Sequence, residues 1–271
     1  MNCPNCKSDT VNKKGQTSLG YHSFQCKRCS LKYNERTGTH YNFLTYPTDI
    51  VIQAVRWYIR YRLSYANLSE ILSERGFKIT DETLRLWVKR LAPEVTNALR
   101  KRRKGTCGKS WYIDETYIKI KGKWRYVYRA IDRDGNLVDC MVSAKRDMKA
   151  ARRFFKQSVL VTGVVPDKAT TDGHNSYPNA IKNELGESVI HRDNRYLNNY
   201  TEQSHRNLKQ RVYPMRGFGN FYSAYRICRA FDECQDYFVM RRRKQYVSRK
   251  DQRLFYLTHL QRLNYVLKKA A

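Results

Sequence analysis
Apolar positions change their period along the chain, and each change marks a different kind of element. From Pro47 onward, Val51, Ala54, Val55, Tyr58 and Ile59 recur at i, i+3, i+4, i+7 and i+8, which places them on one helical face. Ser64 stands as an N-cap before a second stripe of Leu68, Ile71 and Leu72, and Gly76 sits where a helix stop belongs. Thr80 caps a third helix. Asp81 and Glu82 in its first turn favour the helix dipole, Leu84, Trp87, Val88 and Leu91 form its buried side, and Pro93 is expected to end it. Helix, short helix, turn, helix is a helix-turn-helix outline, and it puts Thr83, Arg85 and Lys89 on the exposed side of the third helix. A plain three-helix packing unit with a basic outer face has the same pattern.

From Trp111 the period becomes two. A strand to about Ile120, a Lys121-Gly122 turn, a strand from Trp124 to Ile131, an Asp134-Gly135 turn and a strand over Leu137 to Ser143 make an antiparallel meander. A helix from Met148 to Leu160 follows, then a short buried strand from Lys168 to Asp172 closed by Gly173. A helix carrying Tyr177, Ala180, Ile181 and Leu185, a strand over Ser188 to His191, and a helix from about Thr201 to Val212 complete the order. Three strands, helix, strand, helix, strand, helix predicts an α/β fold with a mixed sheet. After residue 223 the pattern is helical again. A basic run, Arg241 to Lys244, precedes a last stripe through Leu254, Leu257, Leu260, Leu263 and Val266, which either contacts another protomer or packs on its own domain.

Charge narrows the partner. Against 24 Asp and Glu stand 53 Lys and Arg, a formal net charge of +29 in 271 residues, far beyond what solubility needs. A polyanion is expected, and 21 tyrosines add flat surfaces for sugars or bases. An anionic membrane is the competing target, but no apolar run of spanning length, signal peptide or lipidation motif is found. A cytoplasmic, nucleoid-associated protein is therefore expected. Lys101, Arg102, Arg103 and Lys104, followed by Gly105, form a basic linker expected to touch phosphate.

The cysteines point to metal. Cys3-x-x-Cys6 and Cys26-x-x-Cys29 form two knuckles whose spacing lets four thiolates reach one tetrahedral zinc, a closed set with no position for chemistry. So small a segment cannot build a sufficient core, and the metal would supply its folding free energy. The resulting division is a zinc ribbon at 1–44, a helix-turn-helix domain at 45–100, a linker at 101–109, a catalytic core at 110–222 and a helical segment at 223–271.

Three carboxylates are candidates for chemistry. Neighbours in a strand point to opposite faces, so Asp114 and Glu115 are not expected in one site, and Glu115 is left to pair with a basic neighbour. Asp172 ends its strand before a glycine, where open α/β sheets collect ligands. Glu202 opens the polar helix TEQSHRNLKQRV, with His205, Arg206 and Lys209 at i+3, i+4 and i+7, a face that suits a metal at one end and phosphate beyond it. Together Asp114, Asp172 and Glu202 could hold two magnesium or manganese ions for phosphodiester chemistry. Individually each also fits an edge salt bridge, a turn aspartate and a first-turn helix acid.

Several stretches carry a resemblance: VRWYIRYRLSYANLSEILSERG, WYIDETYIKIKGKWRYVYRAIDRDG, TTDGHNSY, NNYTEQSHRNLKQRV and GFGNFYSAY, together spanning about residues 50 to 235. The sequence resembles the DDE-type insertion-sequence transposases of the IS-six family, here with an N-terminal zinc ribbon. The resemblance implies a ribonuclease-H-like catalytic core in which Asp114, Asp172 and Glu202 match the metal-binding acids, while His205 and Lys209 match substrate or phosphate contacts. It further implies action on double-stranded DNA, both element ends and target, by a homodimer or higher homo-oligomer. The competing reading is a non-catalytic DNA-binding regulator with a nuclease-like domain.

Overall fold
A computed structural model describes residues 1–193, 199–240 and 248–269, apart from the side chains of 199–203 and 269. At the N-terminus β1 (Val11–Gln16), β2 (His22–Cys26) and β3 (Lys32–Asn34) form an antiparallel sheet in chain order. Its interior is small: Phe24 and Tyr33 stack 5.5 Å apart beside Cys3 and Cys26, too little apolar surface to hold a sheet unaided.

Three helices follow, α1 (Thr48–Arg60), α2 (Tyr65–Ser73) and α3 (Asp81–Arg102). The expected caps form: Ser64 and Asn67 make a reciprocal capping box, and Thr80 accepts from the Thr83 backbone N–H. One expectation is corrected. Pro93 does not end α3, which runs on to Arg102. An internal proline costs about 3 kcal/mol or more. Here apolar burial on both sides of it, by Leu91, Ala92, Val95 and Leu99, holds the helix together. The basic run is thus a helix end rather than a free linker. Arg103 is buried and so is removed from the expected DNA contacts. It donates to Glu233 Oε2 and Oε1 at 2.7 and 2.8 Å and to the Leu137 and Val138 carbonyls.

The larger sheet contains β4 (Ser110–Ile120), β5 (Lys123–Asp132) and β6 (Leu137–Ser143), then α4 (Met148–Thr162), β7 (Lys168–Thr171), α5 (Tyr177–Leu185) and β8 (Ile190–Asp193). Helices α6 (Asn199–Val212), α7 (Phe221–Tyr237) and α8 (Arg249–Lys269) complete the chain. Strand order is β6-β5-β4-β7-β8, antiparallel among β4, β5 and β6 and parallel from β4 to β7 to β8. The predicted mixed α/β sheet is therefore present. Both faces are covered. Trp111, Ile113 and Tyr128 pack under Phe154, Phe155 and Tyr177 of α4 and α5. On the other side, Ile118, Ile120 and Val127 join Leu208 of α6, Phe231 of α7 and the interior of α1 to α3 in one continuous cluster.

Buried ion pairs tie these layers. Arg129 of β5 holds Asp232 of α7 through two 2.9 Å bonds, and Arg100 of α3 reaches Asp139 of β6 at 3.0 Å. Removing one partner of such a pair strands a buried charge at a cost of about 3–5 kcal/mol, so the network fixes relative placement. Of the two readings of the last helix, the structure supports packing on its own chain. Leu263 and Leu267 of α8 are buried, and the Tyr41 hydroxyl donates to the Leu267 carbonyl. The run Arg241 to Lys244 lies outside the described residues. No described helix is long and apolar enough to cross a membrane.

Candidate catalytic site
Strand β7 pairs with β4 only along Ser110 to Tyr112, so the edge of β4 is open from Ile113 until Phe218 bonds to it near Ile120. Asp172 follows the last residue of β7 and stands beside that open edge. The alternation of β4 holds. Asp114 looks toward α6, where His205 Nε2 lies 3.7 Å from its Oδ2, and Glu115 looks toward Tyr177 of α5. Yet both carboxylates reach round the edge, and oxygens of Asp114, Glu115 and Asp172 all lie within 4.8 Å of one another. The expectation that Glu115 stays out of the site is corrected, although its expected basic neighbour exists. Arg146, between β6 and α4, places Nη2 at 3.0 Å from Glu115 Oε2 and 2.5 Å from Asp172 Oδ2.

The loop after Asp172 is tightly built. Gly173 has φ +83°, a left-handed backbone that strains any other residue, and a Cβ there would also displace the Asp193 carboxylate. Asp172 Oδ1 accepts from the His174 backbone N–H at 3.2 Å. On β4, Asp114 Oδ1 accepts from the Glu115 N–H at 2.8 Å. Burial raises the Asp114 carboxyl to about 7, with Glu115 and Asp172 adding to the rise against that hydrogen bond. Glu115 is raised as well, chiefly by burial. Crowded hard oxygens, one of which keeps its proton near neutrality when uncompensated, form a donor set suited to a small divalent cation.

Helix α6 closes the site. Leu208 and Val212 bury it against the sheet, and Arg129 donates to Ser204 Oγ at 3.0 Å, joining its first half to β5. His205, expected to meet DNA, is buried instead. Desolvation, with Arg129 and Lys209 nearby, holds its imidazole well below the usual histidine range and hence neutral, and its ring nitrogens have no hydrogen-bond partner among the described residues. Arg206 is exposed and Lys209 half-buried, leaving both available to a phosphate. Glu202 lies on the first half of α6, but its side chain is outside the described residues.

Sequence reasoning missed Glu115 and Arg146. Only the charge imbalance of three acids in one place pointed to a compensating cation, and nothing in the periodicity of SAKRDMKAA distinguishes Arg146 from its neighbours.

The other expected residues fall as follows. Cys3 and Cys29 have sulfurs 3.5 Å apart, as do Cys6 and Cys26, and all four lie within 4.8 Å of one another. The Cys29 backbone N–H and neighbouring donors draw the Cys26 thiol down to about 6, which favours a thiolate ligand. Arg85 and Lys89 are exposed on α3, with Arg85 held by Glu82 at 2.6 Å, while Thr83 is half-buried and bonded to Thr80 at 2.9 Å. Lys101, Arg102 and Lys104 are exposed.

A family model described as a DDE domain, of the IS240 transposase type, matches residues 108–241. The transposase for insertion sequence-like element IS431mec of Staphylococcus aureus (strain Mu50) is 39% identical over 176 residues, covering 64% of this chain and 78% of that protein. The transposase for insertion sequence element IS257 in transposon Tn4003, also from Staphylococcus aureus, is 38% identical over the same shares. Among solved structures, the HTLV-2 integrase catalytic core domain in complex with magnesium aligns at 15% identity with a TM-score of 0.36, over 47% of this chain and 86% of that one.

Proposed function
Since the chain belongs to the DDE-type insertion-sequence transposases of the IS-six family, enzymes that cut and join DNA, we propose that it binds the terminal inverted repeats of its own element and transfers their strands into target DNA. The observation that carries this reading is the meeting of Asp114, Glu115 and Asp172 at the open edge of β4, beneath a helix that presents Arg206 and Lys209. In the proposed sequence, water first opens a phosphodiester at the element terminus and frees a 3′-hydroxyl. That hydroxyl then attacks a target phosphorus and displaces another 3′-oxygen.

Asp114, Asp172 and Glu202 would hold two divalent ions, magnesium or manganese, which when bound would make the attacking oxygen more nucleophilic and stabilise the leaving oxygen. Asp114, on the rigid strand β4, would be a fixed oxygen donor to the ion. Arg146 orients Asp172 and Glu115 through its shared guanidinium. Lys209 and Arg206, which are not buried, would meet the phosphate beyond the acids.

The rest of the chain supplies recognition. One zinc held by Cys3, Cys6, Cys26 and Cys29 would stabilise the N-terminal sheet as a ribbon. That module and the helix-turn-helix face of α3, with Thr83, Arg85 and Lys89, would read the terminal repeat, while Lys101, Arg102 and Lys104 touch backbone phosphate. Two ends must be held together, which calls for a homodimer or a larger homo-oligomer, working on DNA in the bacterial cytoplasm. Purified protein incubated with labelled element ends, target DNA and magnesium should give nicked and joined products. Specific end binding without any nick would instead assign the chain to the regulators.

A further inference from the structure
Four residues beyond Asp114, about 13 Å along β4, the surface at the strand's end opens into a second pocket, bordered by Ile118 of one face and Lys119 of the other. It has a volume of about 450 Å³ and is lined by Ile118, Trp124, Tyr213, Arg216 and Phe218 among others. Its floor is rigid. The Phe218 N–H donates to the Lys119 carbonyl and the Lys121 N–H to the Phe218 carbonyl, both at 2.9 Å, so the segment after α6 is zipped to the free edge of β4. Gly217 makes this closure possible. Its φ is +115°, and a Cβ would stand 2.9 Å from the Lys119 carbonyl oxygen.

The rim is the unusual part. Trp124 is 55% exposed and Tyr213 51% exposed, at the tip of a hairpin and the end of a helix where folding needs neither ring. Cations surround them. Lys119 Nζ stands 5.1 Å from the Trp124 ring centre, Arg216 lines the cavity, and Lys121 and Lys123 are exposed on the same hairpin. Flat aromatic walls set among cations form the combination that takes a stacked base while the adjoining phosphates are neutralised. A buried apolar ligand would not need the charges, and a phosphate alone would not need the rings.

We propose that this pocket receives an unpaired base of a DNA strand, stacked on Trp124 and Tyr213, a few nucleotides from the scissile phosphate. Sheet and helix set that distance. Strand β4 and helix α6 both run from the acid cluster to the pocket, so a DNA strand following them would pass Lys209 and then bring a base round the end of β4 to Trp124. The location relative to the scissile phosphate rests on the proposed DNA-joining function. Capture of the base does not, because it needs no divalent ion.

The test uses the full-length protein without added magnesium or manganese and measures binding of a fluorescent ten-nucleotide oligothymidylate and of a blunt duplex of equal length. Trp124→Ala should weaken the single strand about tenfold and the duplex less than twofold, while Trp124→Phe, which keeps a stacking ring, should recover most of the loss. Oligothymidylate should also quench tryptophan emission in a Trp57→Phe background, since Trp87 and Trp111 are buried. Unchanged affinity in Trp124→Ala, or equal losses on both DNAs, would overturn the proposal. So would a change in oligomeric state with unchanged oligonucleotide binding, which would give the face to a second copy. Joining activity is measured separately, so failure here leaves the catalytic reading intact, and the reverse also holds.

Discussion
The four sulfurs at the N-terminus and the three carboxylates at the edge of β4 are both crowded sets of like donors, each drawn within 4.8 Å. They differ in what surrounds them. Cys3 and Cys26 are buried, the sulfurs form pairs 3.5 Å apart, and the sheet around them has almost no other interior. The acids stand at an open stretch of strand edge, two of them, Glu115 and Asp172, share Arg146, and they rest on a sheet with a full core on both faces. A closed set in a weak module stabilises structure, whereas a partly open set on a rigid frame leaves room for a substrate.

Activity should give the largest contrast. Asp114→Asn or Asp172→Asn should lower strand joining at least about a thousandfold, because transition-state charge loses several kcal/mol of stabilisation, while the melting temperature hardly changes. Glu115→Gln, farther round the edge, should cost about tenfold. Conversely, Cys3→Ser with Cys6→Ser should unfold the N-terminal sheet, read as rapid amide exchange over residues 3–34, and leave exchange in β4 and β5 slow. Joining of pre-bound ends should largely survive, and a loss of protection spreading into β4 would show that the regions are not independent.

Smaller effects sharpen the acid side. Arg146→Ala should destabilise the metal-free protein by about 1–2 kcal/mol in urea unfolding, since Arg146 is partly exposed, and magnesium should restore much of that by replacing the lost cation. The pH response should follow Asp114. Its carboxyl titrates at about 7 folded against the ordinary 3.8, so the folded state keeps a proton that the unfolded chain has released. Its contribution to stability is present below about pH 4 and declines as pH rises toward 7, and Asp114→Asn should flatten that slope in metal-free protein. Smallest of all, Arg85→Ala should reduce preference for the cognate end severalfold more than affinity for random DNA. Equal losses would make Arg85 a phosphate contact.

Much of this frame was legible in the residues. The meander, the caps at Ser64 and Thr80, and the β7 strand before Gly173 follow from period and turn chemistry. The failures share a cause, since each depended on tertiary packing that periodicity does not register. Pro93 is tolerated because burial flanks it, Arg103 is hidden because α7 and β6 supply partners, and His205 turns inward because α6 lies on the sheet. Glu115 joins the acids because β7 is too short to cover the edge of β4, a matter of strand length that alternation does not reveal.

The central claim, that the carboxylates at the β4 edge hold the catalytic cation, is tested most directly by manganese binding to the zinc-loaded full-length protein, followed by electron paramagnetic resonance. Wild-type protein and the Cys3→Ser variant should bind manganese alike, and Asp114→Asn and Asp172→Asn should each lose it. Unaltered manganese binding in both aspartate variants would contradict the account.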